Sequence, residues 1–299
     1  MLIANPLYDV VFKYLLEDLD IARELLSAIL SLQIESLEVK PQETVIETAG
    51  GANMLRFDFK AVITEKGGER SKVLIELQKA KQHFDVSRFR KYLGNNYIKD
   101  DPFVNETTGE TESRPLPIIS IYFLGFRLDN IPVGAVKINR EYTDLVTEEV
   151  LDIKEDFVEL LTHDCYVIQV KRLPLQSRNE LERILQVFSP LYENLEDRHK
   201  FNFQGNPEVP LVKRMLDRLG RAISSDEIRS KMDMEDEMDR IFEREMKKLS
   251  SEKDALIAKK QAELEVQKKR TEKEKQRADK EKQERQKAQA EKQKAETTL

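Results

Sequence analysis

Hydrophobic and polar positions change period several times along the chain, and each change predicts an element. Val10, Val11, Tyr14 and Leu15 recur at helical spacing behind Asn5 and Pro6, where a polar cap followed by proline suits a helix start. Leu25, Leu26, Ile29 and Leu30 give a second helix across 22–31 an apolar face. Residues 36–47 have strand character interrupted at Pro41. From 54 to 64 the alternation is sharper: Leu55, Phe57, Phe59 and Ala61 share one parity, and Arg56, Asp58 and Lys60 the other. A turn around Gly67 and Gly68 leads into 72–80, where Val73, Ile75 and Leu77 oppose Leu74, Glu76 and Gln78. A helix is predicted over 82–98, with Phe84, Arg88 and Tyr92 in step. An almost wholly apolar strand follows at 117–126, as a central strand requires.

Beyond that strand the pattern weakens. Residues 138–151 suit a strand and a short polar turn, and another strand is predicted around 165–171, closed by Pro174. A helix over 178–195 is broken or ended near Pro190, and an amphipathic helix over 209–224 ends near Gly220. These elements predict an α/β fold, a mixed sheet flanked by helices, followed by a helical region and a charged C-terminal extension. The organisation expected is a core at 1–175, a helical extension packed on or near it at 176–224, and a charged helical tail at 225–299. In the tail Lys, Glu, Gln, Arg and Ala dominate and offer many opposite-charge pairs four residues apart. Leu256, Ile257, Leu264 and Val266 are almost its last large apolar residues before Leu299. A coiled-coil seam therefore fails after 266. The expectation is an exposed helix that frays, with room for a short dimerising portion at 232–266 and hence a homo-oligomer.

Charge sharpens this division. The net charge of -6 conceals a tail, 241–299, with 18 Lys+Arg against 13 Asp+Glu, and a remainder with 32 against 43. An acidic body argues against a broad nucleic-acid face driven by overall charge, though not against a local basic groove. One cysteine, Cys165, leaves no internal disulfide and suits a reducing compartment. The N-terminal residues lack the pattern of a signal peptide, and no stretch of 18 apolar residues predicts a membrane span, so the cytoplasm is the expected location and no membrane partner is expected.

The chemistry with most promise lies on the two alternating strands. Glu76 has an apolar residue on each side, and a carboxylate in such a strand needs a partner, a proton or a metal. If the register brings Asp58 beside it, the two could hold Mg²⁺, which takes hard oxygen ligands and keeps some of its waters. The backbone carbonyl of Leu77 would be a further ligand. Gln78 shares the face of Glu76 and, being neutral, suits holding or orienting a water rather than donating a proton. Spacing alone describes a polar strand rim equally well. Cys165 reads as a packed thiol, and His83, His163 and His199 form no zinc-binding set with it.

Taken in order, NPLYDVVFKYLL, RFDFKA, VLIELQKA and SRFRKYLGNNY resemble the PD-(D/E)XK nuclease family often labelled a transposase family, and are similar to the Rpn recombination-promoting nucleases. The likeness extends through PLPIISIYFLGF and FVELLTHDCYVIQVKRL, covering most of 1–175. It implies a restriction-endonuclease-like core and Mg²⁺-dependent (or Mn²⁺-dependent) cleavage of DNA, with a tie to recombination or mobile DNA. Asp58 falls on the family's strand aspartate, Glu76 on its glutamate, and Gln78 on its glutamine in place of the usual lysine. Phe57 stands where the superfamily pattern has proline, so the match is to the D…E-x-Q variant. The resemblance also gives supporting roles to Asp9 and Lys13, one turn apart on the first helix, where a plain ion pair is the simpler reading. Arg88 and Tyr92, also one turn apart, suit phosphate contact, bracing of the acidic strands or, as readily, an ordinary packed pair on the helix surface. Lys79 and Lys81 are expected to add positive charge beside the site. Two other functions fit the sequence: a non-catalytic nucleic-acid-binding or protein-interaction module retaining the fold, and a helical assembly factor acting through the tail.

Overall fold

The computed structural model describes residues 1–39, 54–64, 70–80, 86–104, 109 and 111–296. The chain forms two compact units, Met1–Asp239 and Arg240–Leu299. The first begins with β1 (Leu2–Ala4), α1 (Asp9–Leu16) and α2 (Leu19–Leu30), then β2 (Gln33–Val39), β3 (Met54–Thr64) and β4 (Arg70–Ala80). Next come α3 (Val86–Tyr97), β5 (Asp100–Val104), β6 (Thr111–Pro115), β7 (Ile118–Leu124), β8 (Ala135–Ile138), β9 (Tyr142–Thr143) and β10 (Val150–Leu151). They are followed by α4 (Asp156–Leu161), β11 (His163–Gln169), α5 (Glu180–Leu185), β12 (Lys200–Asn202) and α6 (Pro210–Ala222). The last helix, α7, spans Asp226–Glu296.

The class is α/β, built on a mixed six-stranded sheet in the order β2-β3-β4-β7-β11-β8. β2, β3 and β4 form an antiparallel meander. β4, β7 and β11 run parallel, and β8 closes the far edge antiparallel to β11. Central β7 is buried at every position, which explains why its sequence has no polar face. The other strands sort their residues by parity. Phe59, Ala61, Ile63, Val73, Ile75, Leu77, Ile119, Ile121 and Phe123 join one large core with α1, α2 and α6. Within it the rings of Phe12, Phe123 and Phe188 pack edge-on or tilted, with centroids 5.3–5.6 Å apart. Residues 176–224 belong to this core too. Leu185, Phe188, Leu216 and Leu219 are buried in it, and Phe201 of β12 pairs with Ile3 of β1.

Several elements differ from the sequence expectation for local physical reasons. α1 starts at Asp9, because Asn5 is held in a turn of its own: its side-chain oxygen accepts from Leu7 N at 2.9 Å and its Nδ2 donates to Arg198 O at 2.8 Å. α2 starts at Leu19, since Asp18 caps it by accepting from Ile21 N at 3.2 Å. The 178–195 segment holds only the six-residue α5, followed by two 3-10 turns at Gln186–Phe188 and Pro190–Tyr192. The β5–β6 hairpin has no counterpart in the sequence reading. α7 continues to Glu296 where fraying was expected, and among its described residues Leu249, Leu256, Ile257, Leu264 and Val266 are exposed. The break at Pro41 and the Gly67–Gly68 turn lie outside the described residues. No helix among the described residues is long and apolar enough to cross a membrane.

Candidate active site

The antiparallel register of β3 and β4 sets Asp58 directly opposite Glu76. Both therefore project from the same face, the one turned away from the large core. On β7 the parallel register continues the rows: Ser120 lies beside Glu76, and Tyr122 beside Gln78. α3 covers this face. Its Phe89 ring packs on Tyr122 with centroids 4.8 Å apart, forming a small second cluster with Leu124. Asn96, in the last turn of α3, reaches the acids. Its Nδ2 donates to Glu76 Oε1 and lies 3.4 Å from Asp58 Oδ2, so both carboxylates converge on one amide nitrogen. Gln78 Nε2 donates to the other oxygen, Glu76 Oε2, at 2.9 Å. Glu76 and Gln78 are 0% exposed, Asn96 4% and Asp58 6%.

Ionised together, two carboxylates facing each other across a ladder would oppose the pairing of their strands. The amides lower that cost by donating to Glu76, and a cation between the carboxylates would lower it further. A second feature points the same way: Gln78 Oε1 is buried and has no hydrogen-bond partner among the described residues. That orphaned acceptor suits a water carried by a hydrated cation. Among the described residues, Asp58 and Glu76 are two carboxylates that converge here. Mg²⁺ sites commonly use one or two carboxylates and fill the remainder with other oxygens and water. The donor set therefore fits a hard divalent ion.

The flank of the site holds further titratable groups. Tyr97 OH lies 2.7 Å from His163 Nδ1. Burial, together with the Arg140 guanidinium, pushes the His163 imidazole below its usual range, so Nδ1 of the neutral ring accepts a hydrogen bond from Tyr97 OH. Tyr122 is pushed up to about 12, mainly by burial, and Tyr97 is also raised by burial with a contribution from the Glu76 charge. Cys165, beside Ser120 in the sheet, is raised to about 11 by burial and by Asp164, which describes a packed thiol rather than a nucleophile.

The other residues singled out from sequence fall in different places. Asp9 pairs with Lys79, not with Lys13, which is exposed. Lys79 has the parity of Leu77, lies 5.7 Å from the centroid of the Phe12 ring and is buried on the core face. It thus adds no charge to the Asp58–Glu76 face, because one step along a strand reverses the side chain. Leu77 sits on a strand paired on both sides, opposite Phe57 and Ile121, so its carbonyl belongs to the ladder region beside Glu76. Arg88 and Tyr92 are on α3, but their side chains, like Lys81 and His83, lie outside the described residues. His199 is remote from this face in its interactions, contacting Asp236 at 3.0 Å.

Sequence reasoning missed Asn96. A signal was present: the four-residue step from 88 to 92 reaches 96, and asparagine is a poor choice inside a helix unless its amide has work to do. Comparison of the chain with protein-family models, curated proteins and solved structures gave no match.

Proposed function

We propose that the chain is a metal-dependent DNA endonuclease of the PD-(D/E)XK kind, similar to the Rpn nucleases, with a restriction-endonuclease-like core inside the six-stranded sheet. The observation that carries this reading is the convergence of Asp58 and Glu76 on one amide nitrogen, from directly opposed positions of adjacent strands. Asp58 and Glu76 hold Mg²⁺ or Mn²⁺, with the Leu77 carbonyl as the backbone ligand implied by the resemblance. A bound divalent ion would lower the pKa of a water and offset charge developing on the phosphate. Gln78 positions that water through the buried Oε1, while its Nε2 steadies Glu76. As a neutral amide it neither takes nor gives the proton.

One observation favours a second reading, a non-catalytic module retaining the fold: Glu76 and Gln78 are fully buried, and a substrate must reach them. A matched assay separates the two. Wild type and Glu76→Gln are incubated with single- and double-stranded DNA, with Mg²⁺ and with chelator. Metal-dependent cutting by wild type, lost in the variant, is the expected result. Equal cutting by both removes Glu76 from the mechanism. No cutting by folded wild type on any substrate selects the module.

A further inference from the structure

We propose that Asn96 is itself a ligand of the divalent ion, its side-chain amide turning about χ2 so that Oδ1 takes the place that Nδ2 holds between the two carboxylates. This rests on the metal-dependent reading of the site and names a ligand outside the two acids and the backbone carbonyl. An asparagine amide carries a donor end and an acceptor end on one flat group of nearly symmetric shape. A half-turn exchanges the ends with little change in packing. With no ion between them, the acceptor oxygens of two carboxylates favour the N–H end, and that is the end placed within 3.4 Å of Asp58 and in contact with Glu76. With an ion between them the preference reverses. The N–H end meets a positive charge, and the carbonyl end becomes a neutral hard oxygen of the type Mg²⁺ and Mn²⁺ accept.

The surroundings support a fixed position for this residue. α3 is anchored on both sides of the site, by Phe89 against Tyr122 and by Tyr97 against His163. The backbone at 96 therefore stays in place while the amide turns. Residue chemistry supports the choice of asparagine too. Aspartate would bring a third negative charge into a buried site, at high cost without the ion. Leucine or alanine would leave the two carboxylates without this donor in one state and without the ligand in the other.

The test is calorimetric titration of Mn²⁺ into the full chain without DNA, for wild type, Asn96→Ala and Asn96→Asp, with thermal unfolding of each with and without Mn²⁺. Asn96→Ala is expected to weaken Mn²⁺ binding about tenfold. Asn96→Asp is expected to bind at least as tightly as wild type and to gain more in Tm from Mn²⁺ than wild type does. Unchanged affinity in Asn96→Ala overturns the proposal, and tighter binding overturns it by making Nδ2 a competitor of the ion. Should Asn96→Ala not fold, weaker Mn²⁺ binding by Asn96→Asp overturns it, while equal or tighter binding with the larger Tm gain supports it. Wild type that binds no Mn²⁺ overturns the ligand assignment and the metal-dependent reading together. Wild type that binds Mn²⁺ through Asn96 yet leaves DNA intact keeps the ligand and ends only the nuclease reading.

Discussion

Glu76 and Asp236 are both buried carboxylates of the first compact unit, 0% and 4% exposed, but they keep different company. Asp236 accepts from Tyr8 OH at 2.8 Å, from the Arg198 guanidinium at 2.7 Å and from His199 Nε2 at 3.0 Å. Beside it Glu235 accepts from Asp9 N at 2.9 Å, supplying the cap that the start of α1 lacks. Around Asp236 a negative charge meets positive and hydroxyl donors, and the cluster ties residues 8, 198, 199 and 236 together. Glu76 sits in register with another acid, and two of its hydrogen bonds come from neutral amides. A carboxylate among complementary donors is a clamp, because removing it strands several buried groups. One set against a like charge gives up stability locally, as binding and catalytic sites commonly do.

The largest effect expected from this contrast is functional. Glu76→Gln should lower cleavage by about a hundredfold or more with little change in Tm, since the substitution relieves the facing of two acids but turns one of the two acceptor oxygens into a donor. A clear fall in Tm would make Glu76 a clamp as well and erase the distinction. Next in size is Asp236→Ala. It should cost about 3 kcal/mol in urea unfolding, with Asp236→Asn costing less because it retains one acceptor. A loss below about 1 kcal/mol would show that the cluster does not act as a unit.

A smaller effect concerns pH at the flank of the site. The folded His163 pKa is held low, so the unfolded chain takes the proton first as pH falls below 6.5. Its contribution to stability is present above 6.5 and is lost as pH falls towards the lower folded value. Tm measured against pH in that window should decline less steeply for His163→Gln, and an unchanged slope would contradict the assignment. Asp197, lowered by the bond from Lys200, acts only below the usual carboxylate range of 3.8 and leaves this window clear. Smallest is the effect of removing 267–299. Both acid clusters lie before residue 240, and the tail segment offers few apolar anchors, so Tm should stay within about 1 °C. A large loss would give the tail a part in the core's stability.

Much of the site is legible in the sequence. A strand reverses its side chain at every residue, so Asp58, Glu76 and Gln78 could be assigned to polar parities, and Val73, Ile75 and Leu77 to a core face, from local pattern alone. The same rule, applied one residue further, places Lys79 away from the acids, where its positive charge had been expected to help them. Helix starts were read less well. The cap of α1 comes from Glu235, 226 residues away, and no local motif announces it.

Parity, the identity of the central strand and the change from a globular body to a charged helix are all written in local pattern. These follow from backbone period and composition, which need no partner. Tertiary structure alone decided that Asp58 meets Glu76 in register, that Asn96 arrives 20 residues beyond Glu76 to bridge the pair, and that Lys79 finds Asp9 across 70 residues. Such meetings depend on how every strand and helix packs at once. They place the chemistry, and a one-dimensional pattern carries only the residue types that make it possible.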